Sequence, residues 1–328
     1  MKKTKIIIIG NGPAGTTVAS KIRQLDKICS IHIFSLESLP YYARPKLPDY
    51  ICGKTDNLQV YAESWYKDHN IKLHLDSKVQ TIDVAKKTIL SNNTEYSYNT
   101  LLLATGALPN KPPVSGSDNK NIFTLRTLDD ARNIINALKD KKEITVVGGG
   151  VLGLEIASTF ASMGNTTKVI ETGHYLLNRQ LNETQGKKLQ SAMEQLGITF
   201  YLKEMCDSII DDKNKIVIKT KNNTLISSDI IVLSVGVKAD IDLAKKAGLT
   251  VDKGIVVNEY MQTSNPDIFA AGDCIQFDGQ LWGFIKSSIE QGNIVASNII
   301  KPQSAIYAGT KIDVTVKISG IDMKEILN

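Results

Sequence analysis

The chain has 328 residues, 42% hydrophobic and 22% charged, with a net charge of +5. That length implies two domains, and the apolar share excludes a disordered chain. The 23 Gly and 9 Pro follow no Gly-X-Y period, which excludes a collagen-like fibre. The 39 basic and 34 acidic residues are interspersed without a dense Lys/Arg run, so the positive balance reads as a solvated lysine-rich surface and not as a nucleic-acid face.

After Met1-Lys2-Lys3-Thr4-Lys5 the apolar run lasts only from Ile6 to Ile9, too short for a signal segment or a membrane span. Cys29, Cys52, Cys206 and Cys274 form no Cys-x-x-Cys or Cys-x4-Cys pair, so neither a zinc knuckle nor a local redox dithiol is written in the chain. Unpaired cysteines suit a reducing compartment. A soluble cytoplasmic protein without membrane, nucleic-acid or metal partners is expected.

Lys5 to Ile9 reads as a parallel strand buried on both faces. Gly10-Asn11-Gly12-Pro13-Ala14-Gly15 follows, then a helix from Ala14 to about Leu25 and a strand Ile31 to Phe34, with Glu37 just beyond. A glycine turn that leaves a strand, opens a helix and precedes an acidic residue by about 22 positions is the pattern of a dinucleotide fold. Gly10 makes the tight turn, Gly12 lets backbone N–H groups approach a pyrophosphate, and Gly15 permits close helix–strand packing. The helix N-terminus adds positive potential, and Glu37 is placed to accept ribose hydroxyls.

Leu101-Leu102-Leu103-Ala104-Thr105-Gly106-Ala107 is an apolar strand ending in a small-residue turn, and the Pro/Gly/Ser-rich stretch Asn110 to Gly116 marks a boundary. The opening grammar then returns: strand Glu143 to Val147, turn Gly148-Gly149-Gly150-Val151-Leu152-Gly153, helix Leu154 to Met163, strand Lys168 to Ile170 and Glu171. Strand-like segments follow at Ile216 to Thr220 and Asp229 to Ser234, the latter running into Val235-Gly236. A return strand at Asp267 to Ala270 leads to Gly272-Asp273, a helix runs from about Phe284 to Ile300, and Asp313 to Ile318 alternates like a strand. Two βαβ units imply an α/β protein of two doubly wound, Rossmann-like domains. The expected division is 1–115 with 237–310, then 116–236, with 311–328 left over.

In this order the motifs resemble the pyridine-nucleotide:disulfide oxidoreductase superfamily, in its branch without the redox disulfide. The segment Leu39-Pro40-Tyr41-Tyr42-Ala43-Arg44-Pro45-Lys46-Leu47, with Arg126 in Leu125-Arg126-Thr127, is similar to NADH:rubredoxin oxidoreductases and to the FAD/NADH part of NADH nitrite reductases. The resemblance implies a glutathione-reductase-like fold whose discontinuous first domain binds FAD and whose second binds NADH. It assigns FAD to Gly10, Gly12, Pro13, Ala14, Gly15, Glu37, Arg44, Val79, Thr105, Gly106, Arg126, Gly272, Asp273 and Lys286. It assigns NADH to Gly148, Gly150, Val151, Leu152, Gly153, Glu171 and Gly236. A carboxylate at Glu171 repels a 2′-phosphate, which favours NADH over NADPH, although His174 and Arg179 nearby soften that repulsion. The nicotinamide is expected between Glu155 and the flavin, with Lys46 as the charged partner of Glu155. The helix near Phe284 points its N-terminus at the flavin, where Lys286 adds a charge.

The resemblance further implies a third, interface domain, of which 311–328 is only a stub. The activity expected is FAD-dependent NADH oxidation, with electrons passed to a small iron protein such as rubredoxin or to the metal centre of a nitrite-reductase-type partner. Oligomeric state stays open. The competing reading is a redox-sensing or interaction protein holding the same cofactors with slow turnover; a disulfide or peroxide reductase relying on Cys52 lacks a local partner thiol.

Overall fold

The computed structural model describes residues 4–139, 142–212, 215–311 and 318–327. The chain folds into two compact units. The first comprises Met1–Tyr42, Gln59–Leu108 and Lys238–Ile312; the second comprises Ala43–Leu58, Pro109–Val237 and Asp313–Asn328. Against the expected division, 43–58 and 109–115 fall in the second unit, as do the described residues 318–327. The expected strand at Asp313 to Ile318 lies almost wholly outside the described residues, which resume at Ile318 with a bridge to Ile321 and a helix Met323–Leu327.

In the first unit the strand Lys5–Ile9 is central. Ile6, Ile7 and Ile8 are all at most 2% exposed, because a sheet covered on both faces leaves no polar side for alternation. It pairs in parallel with Ser30–Phe34 on one side and Thr100–Leu103 on the other, and Ile71–His74 and Ile268–Ala270 complete the sheet. The helix Pro13–Leu25 buries Ala14, Val18, Ala19 and Ile22 at helical spacing, and Pro13 sits in its first turn, where its missing N–H costs nothing. The helix Ile285–Ile300 packs against it. Antiparallel strands Val79–Asp83, Thr88–Ser91 and Thr94–Ser97 form a separate small sheet.

The second unit repeats the plan with different residues. Glu143–Val147 is central, flanked in parallel by Thr166–Glu171 and Ile230–Leu233, with Ile198–Leu202 and Ile122–Thr124 outermost. Cys206–Asp212, Lys215–Thr220 and Leu225–Ser228 make its antiparallel sheet. At the start of the central strand, Lys215 Nζ lies 3.0 Å from Glu143 and 3.1 Å from Asp229, and Lys168 Nζ reaches Glu143 at 3.0 Å. The helix here begins at Val151 and not at Leu154, since Gly150 is its N-cap and the turn's last residues are already helical. In both units chain order reverses on either side of the central strand, so the crevice at its carboxyl end lies at a topological switch point.

Candidate functional site

Each unit carries a glycine cradle built the same way. Gly10 has φ +114°, and a Cβ there would sit 2.0 Å from the carbonyl oxygen of Ala104; Gly148 has φ +111° and meets Ser234 O at 2.2 Å. Both positions therefore demand glycine twice over, by backbone conformation and by the neighbouring strand's close approach. Gly10 N–H donates to Phe34 O at 2.9 Å and Gly148 N–H to Ile170 O at 2.8 Å, which ties each turn to the adjacent strand. A Cβ at Gly15 would fall 2.1 Å from Gly10 O, and one at Gly153 would fall 2.0 Å from Gly148 O, so the third glycine lets the helix close on the turn. The middle glycines differ in kind. A Cβ on Gly12 or on Gly150 meets nothing within 4 Å, and both backbones are extended, a conformation open to any residue. Packing within the protein does not require glycine there; what a side chain would take up is the open space in front of the helix. The residues present thus fit a dinucleotide diphosphate in each cradle.

Helix caps point the same way. Leu128–Leu138 and Glu183–Gln195 begin with full capping boxes, from Thr127 with Asp130 and from Asn182 with Gln185. The helices Pro13–Leu25, Val151–Ser162 and Ile285–Ile300 have no side-chain cap. Their first-turn amides remain to be satisfied by something else, and an anion suits them.

The acidic residue after each second strand is held in place. Tyr42 donates its phenolic hydrogen to Glu37 Oε2. Glu171 accepts from Gly149 N–H at 2.6 Å, Gly173 N–H at 2.7 Å and Thr172 Oγ1 at 3.0 Å. These bonds fix the Glu171 carboxylate while leaving lone pairs for ribose hydroxyls. His174 and Arg179 are exposed and make no hydrogen bond or ion pair with it.

Elsewhere in the first unit, Thr105 Oγ1 donates to Asp240 O at 2.7 Å, and Asp240 N–H donates to Gly106 O at 3.0 Å, fixing that turn at φ +79°. Gly272 has φ +91°, its N–H donates to Gln291 Oε1 at 2.8 Å, and a Cβ on it would lie 3.3 Å from Ala14. Gly272-Asp273 therefore sits beside the first helix's start. Val79 is buried in this unit's core. Lys286 is exposed at the start of its helix, and its ammonium donates to Lys311 O at 2.8 Å. In the second unit Gly236 has φ +85° and its carbonyl accepts from Asn110 N–H at 2.9 Å.

Arg44, Lys46, Arg126 and Glu155 all belong to the second unit. Arg44 and Lys46 form a short 3-10 turn leading into the helix Leu47–Ile51, which packs on the helices Leu128–Leu138 and Val151–Ser162. The expected Lys46–Glu155 pair is not formed: Lys46 is exposed, and no ion pair joins it to Glu155 among the described residues. The charged group acting on Glu155 is instead the Asp49 carboxylate. Burial, and then that like charge, push the Glu155 carboxyl up to about 7. Sequence spacing held no signal for Asp49, nor for Tyr42 beside Glu37.

All four cysteines are free, Cys29 and Cys274 are buried, and burial lifts the Cys274 thiol to about 11. No described helix is long and apolar enough to cross a membrane.

The family described as pyridine nucleotide-disulphide oxidoreductase matches residues 4–293. The chain is 32% identical over 327 residues to the NADH-rubredoxin oxidoreductase of Clostridium acetobutylicum, covering 98% of this chain and 81% of that protein. It is also 32% identical over 327 residues to the nitrite reductase [NAD(P)H] of Bacillus subtilis, of which it spans 41%. The crystal structure of the Clostridium acetobutylicum NADH:rubredoxin oxidoreductase superposes with a TM-score of 0.83 at 30% identity, over 97% of this chain and 80% of that one. An NAD-dependent persulfide reductase from A. fulgidus gives a TM-score of 0.90 at 27% identity, over 96% of this chain and 62% of that one.

Proposed function

Because this chain belongs to the pyridine nucleotide-disulphide oxidoreductase family, we propose that it is an FAD-dependent NADH oxidoreductase that passes electrons to a small electron-transfer protein. The observation that carries the reading is the pair of matching cradles, one per unit, each with a middle glycine facing open space. FAD belongs to the first unit, on Gly10, Gly12, Pro13, Ala14 and Gly15, with Glu37 on the adenosine ribose and Thr105, Gly106, Gly272 and Asp273 at the turns beyond. NADH belongs to the second, on Gly148, Gly150, Val151, Leu152 and Gly153, with Glu171 on its ribose. Bound FAD supplies the chemistry the side chains lack, accepting a hydride from NADH and handing electrons on singly.

The protein's own share is positioning and electrostatics. The backbone amides of the uncapped helices neutralise the diphosphates. The fixed Glu171 carboxylate excludes a 2′-phosphate by charge, which makes NADH the preferred donor. Glu155, whose carboxyl is pushed up to about 7 by burial and the Asp49 charge, is only about half ionised at neutral pH on the helix that carries the NADH cradle. The name of one relative, an NADH-rubredoxin oxidoreductase, supports a one-electron protein acceptor. Anaerobic mixing of the flavin-loaded protein with NADH and with NADPH, followed by a panel of acceptors that includes rubredoxin, tests the reading. Rapid bleaching of the flavin by NADH is expected, and a purified protein unable to retain FAD would overturn it.

A further inference from the structure

The glycine framework of the two cradles is the same, but the residue between the first two glycines differs. At Gly149 in the second a side chain would crowd Glu171, since a Cβ there would lie 3.0 Å from Glu171 Oε2 and 3.1 Å from its Cγ, and the carboxylate would have to give way. The matching residue in the first cradle is Asn11, and its amide is held from below. Asn11 Oδ1 accepts from Tyr66 OH at 2.9 Å, while the same phenol oxygen accepts from Tyr41 N–H at 3.2 Å. A phenol has one hydrogen, so with the backbone N–H donating to its oxygen that hydrogen goes to Asn11, and the amide's orientation follows. Tyr66 is 1% exposed and packs edge-on against Trp65, with ring centroids 4.9 Å apart, so the clamp itself is rigid.

The other end of the amide is unsatisfied. Asn11 Nδ2 is buried and has no hydrogen-bond partner among the described residues. A buried donor without an acceptor destabilises the fold, and native chains leave few of them. This one belongs to the residue between Gly10 and Gly12, next in the chain to the position where a Cβ would meet nothing within 4 Å. We infer that Asn11 is a further binding residue for the dinucleotide of the first cradle: its amide NH2 donates to an oxygen of the adenylate half, and Tyr66 is the positioning residue that sets its direction. The inference rests on assigning a dinucleotide, FAD, to that cradle. A glycine turn with a following carboxylate engages the diphosphate and the adenosine ribose, so a phosphate or a ribose oxygen is the acceptor.

The test is the dissociation constant of FAD for the full chain freed of flavin, read by fluorescence, alongside the melting temperature of the flavin-free chain. Asn11→Ala is expected to weaken FAD binding about 10-fold or more, the usual loss for a hydrogen bond to a strong acceptor. Its flavin-free melting temperature should change little, because the substitution exchanges one orphaned donor, Asn11 Nδ2, for another, the Tyr66 hydroxyl. Asn11→Asp still accepts from Tyr66 but cannot donate. Against a phosphate it should bind FAD about 100-fold more weakly at low salt and recover as salt is added. Against a ribose hydroxyl, which can turn and donate, it should bind better than Asn11→Ala. Either pattern supports the inference and identifies the acceptor. Tyr66→Phe, which keeps the amide but frees it, should weaken FAD binding less than Asn11→Ala does. Wild-type affinity in both Asn11 variants would overturn the inference. So would weakened binding that merely tracks a fall in the flavin-free melting temperature. A parent chain that does not bind FAD at all would instead bring down the functional reading, and this inference with it.

Discussion

Adding one methyl group at two neighbouring glycines should separate folding from cofactor binding. In Gly15→Ala the new carbon would lie 2.1 Å from Gly10 O and 3.1 Å from Ile8 Cγ2. The carbonyl belongs to the backbone of the turn, so helix and strand must part by about an ångström, an overpacking cost of about 1–3 kcal/mol or more. At about 2–4 °C per kcal/mol for a protein of this size, the flavin-free chain should melt several degrees lower. In Gly12→Ala the methyl meets nothing within 4 Å, and a φ of −97° suits alanine. The flavin-free chain should melt at the parent temperature or slightly above it, because alanine also reduces the freedom of the unfolded chain. Yet that methyl occupies the space where backbone amides must meet a diphosphate, so FAD affinity should fall at least about 10-fold, a loss of about 1.4 kcal/mol. Gly12→Val should strip the flavin altogether. Flavin-to-protein ratios after purification and thermal melts of the flavin-free proteins give both numbers. Full flavin occupancy in Gly12→Ala, or an unchanged melt in Gly15→Ala, would refute the reasoning.

Glu171→Arg should narrow or reverse the preference for NADH, read as kcat/KM for the two coenzymes; equal values in the parent would remove Glu171 from the ribose. The raised Glu155 carboxyl carries a stability signature. With a folded-state pKa of about 7 against an ordinary value of 4.5, the native chain binds more protons than the unfolded one across that interval. Stability from this group is therefore greatest below about pH 4.5 and is lost as pH rises toward 7. Glu155→Gln should flatten that decline and raise stability at pH 8 relative to pH 5 in urea titrations; an unaltered pH profile would place the charge elsewhere. Alkylating the accessible thiols should leave NADH-dependent dye reduction largely intact, and loss of activity with FAD still bound would point to Cys52. Arg23 donates to the carbonyls of His69, Asp26, Cys29 and Asn70 from a site 6% exposed, so Arg23→Ala should destabilise the chain by about 3 kcal/mol or more, measured by denaturant unfolding.

Much of the site was legible because its constraints are local. Gly10 and Gly148 turn the chain at positive φ, Gly15 and Gly153 face the carbonyls of Gly10 and Gly148 in the same turn, and the apolar runs Ile6–Ile9 and Ile144–Val147 announce strands covered on both faces. Such needs leave residue types at fixed offsets, and a reader of the sequence meets them in order. The boundaries at 43–58 were not legible, because the Arg-Pro segment follows the first unit in the chain while its helix Leu47–Ile51 packs on Leu128–Leu138 and Val151–Ser162.

What the sequence by itself determined is the pair of βαβ units, the glycine turns and the acid that follows each second strand, since steric fit at a turn and burial of a strand are properties of short segments. Which partners those residues meet depends on the folded chain. It set Asp49 and not Lys46 against Glu155, gave Glu171 the amides of Gly149 and Gly173, and closed Tyr66 on Asn11. Apart from the Gly173 amide, these contacts join residues well separated in the chain, and side-chain charge and hydrogen-bond direction take their values from burial and from neighbours that exist only after the chain has returned on itself.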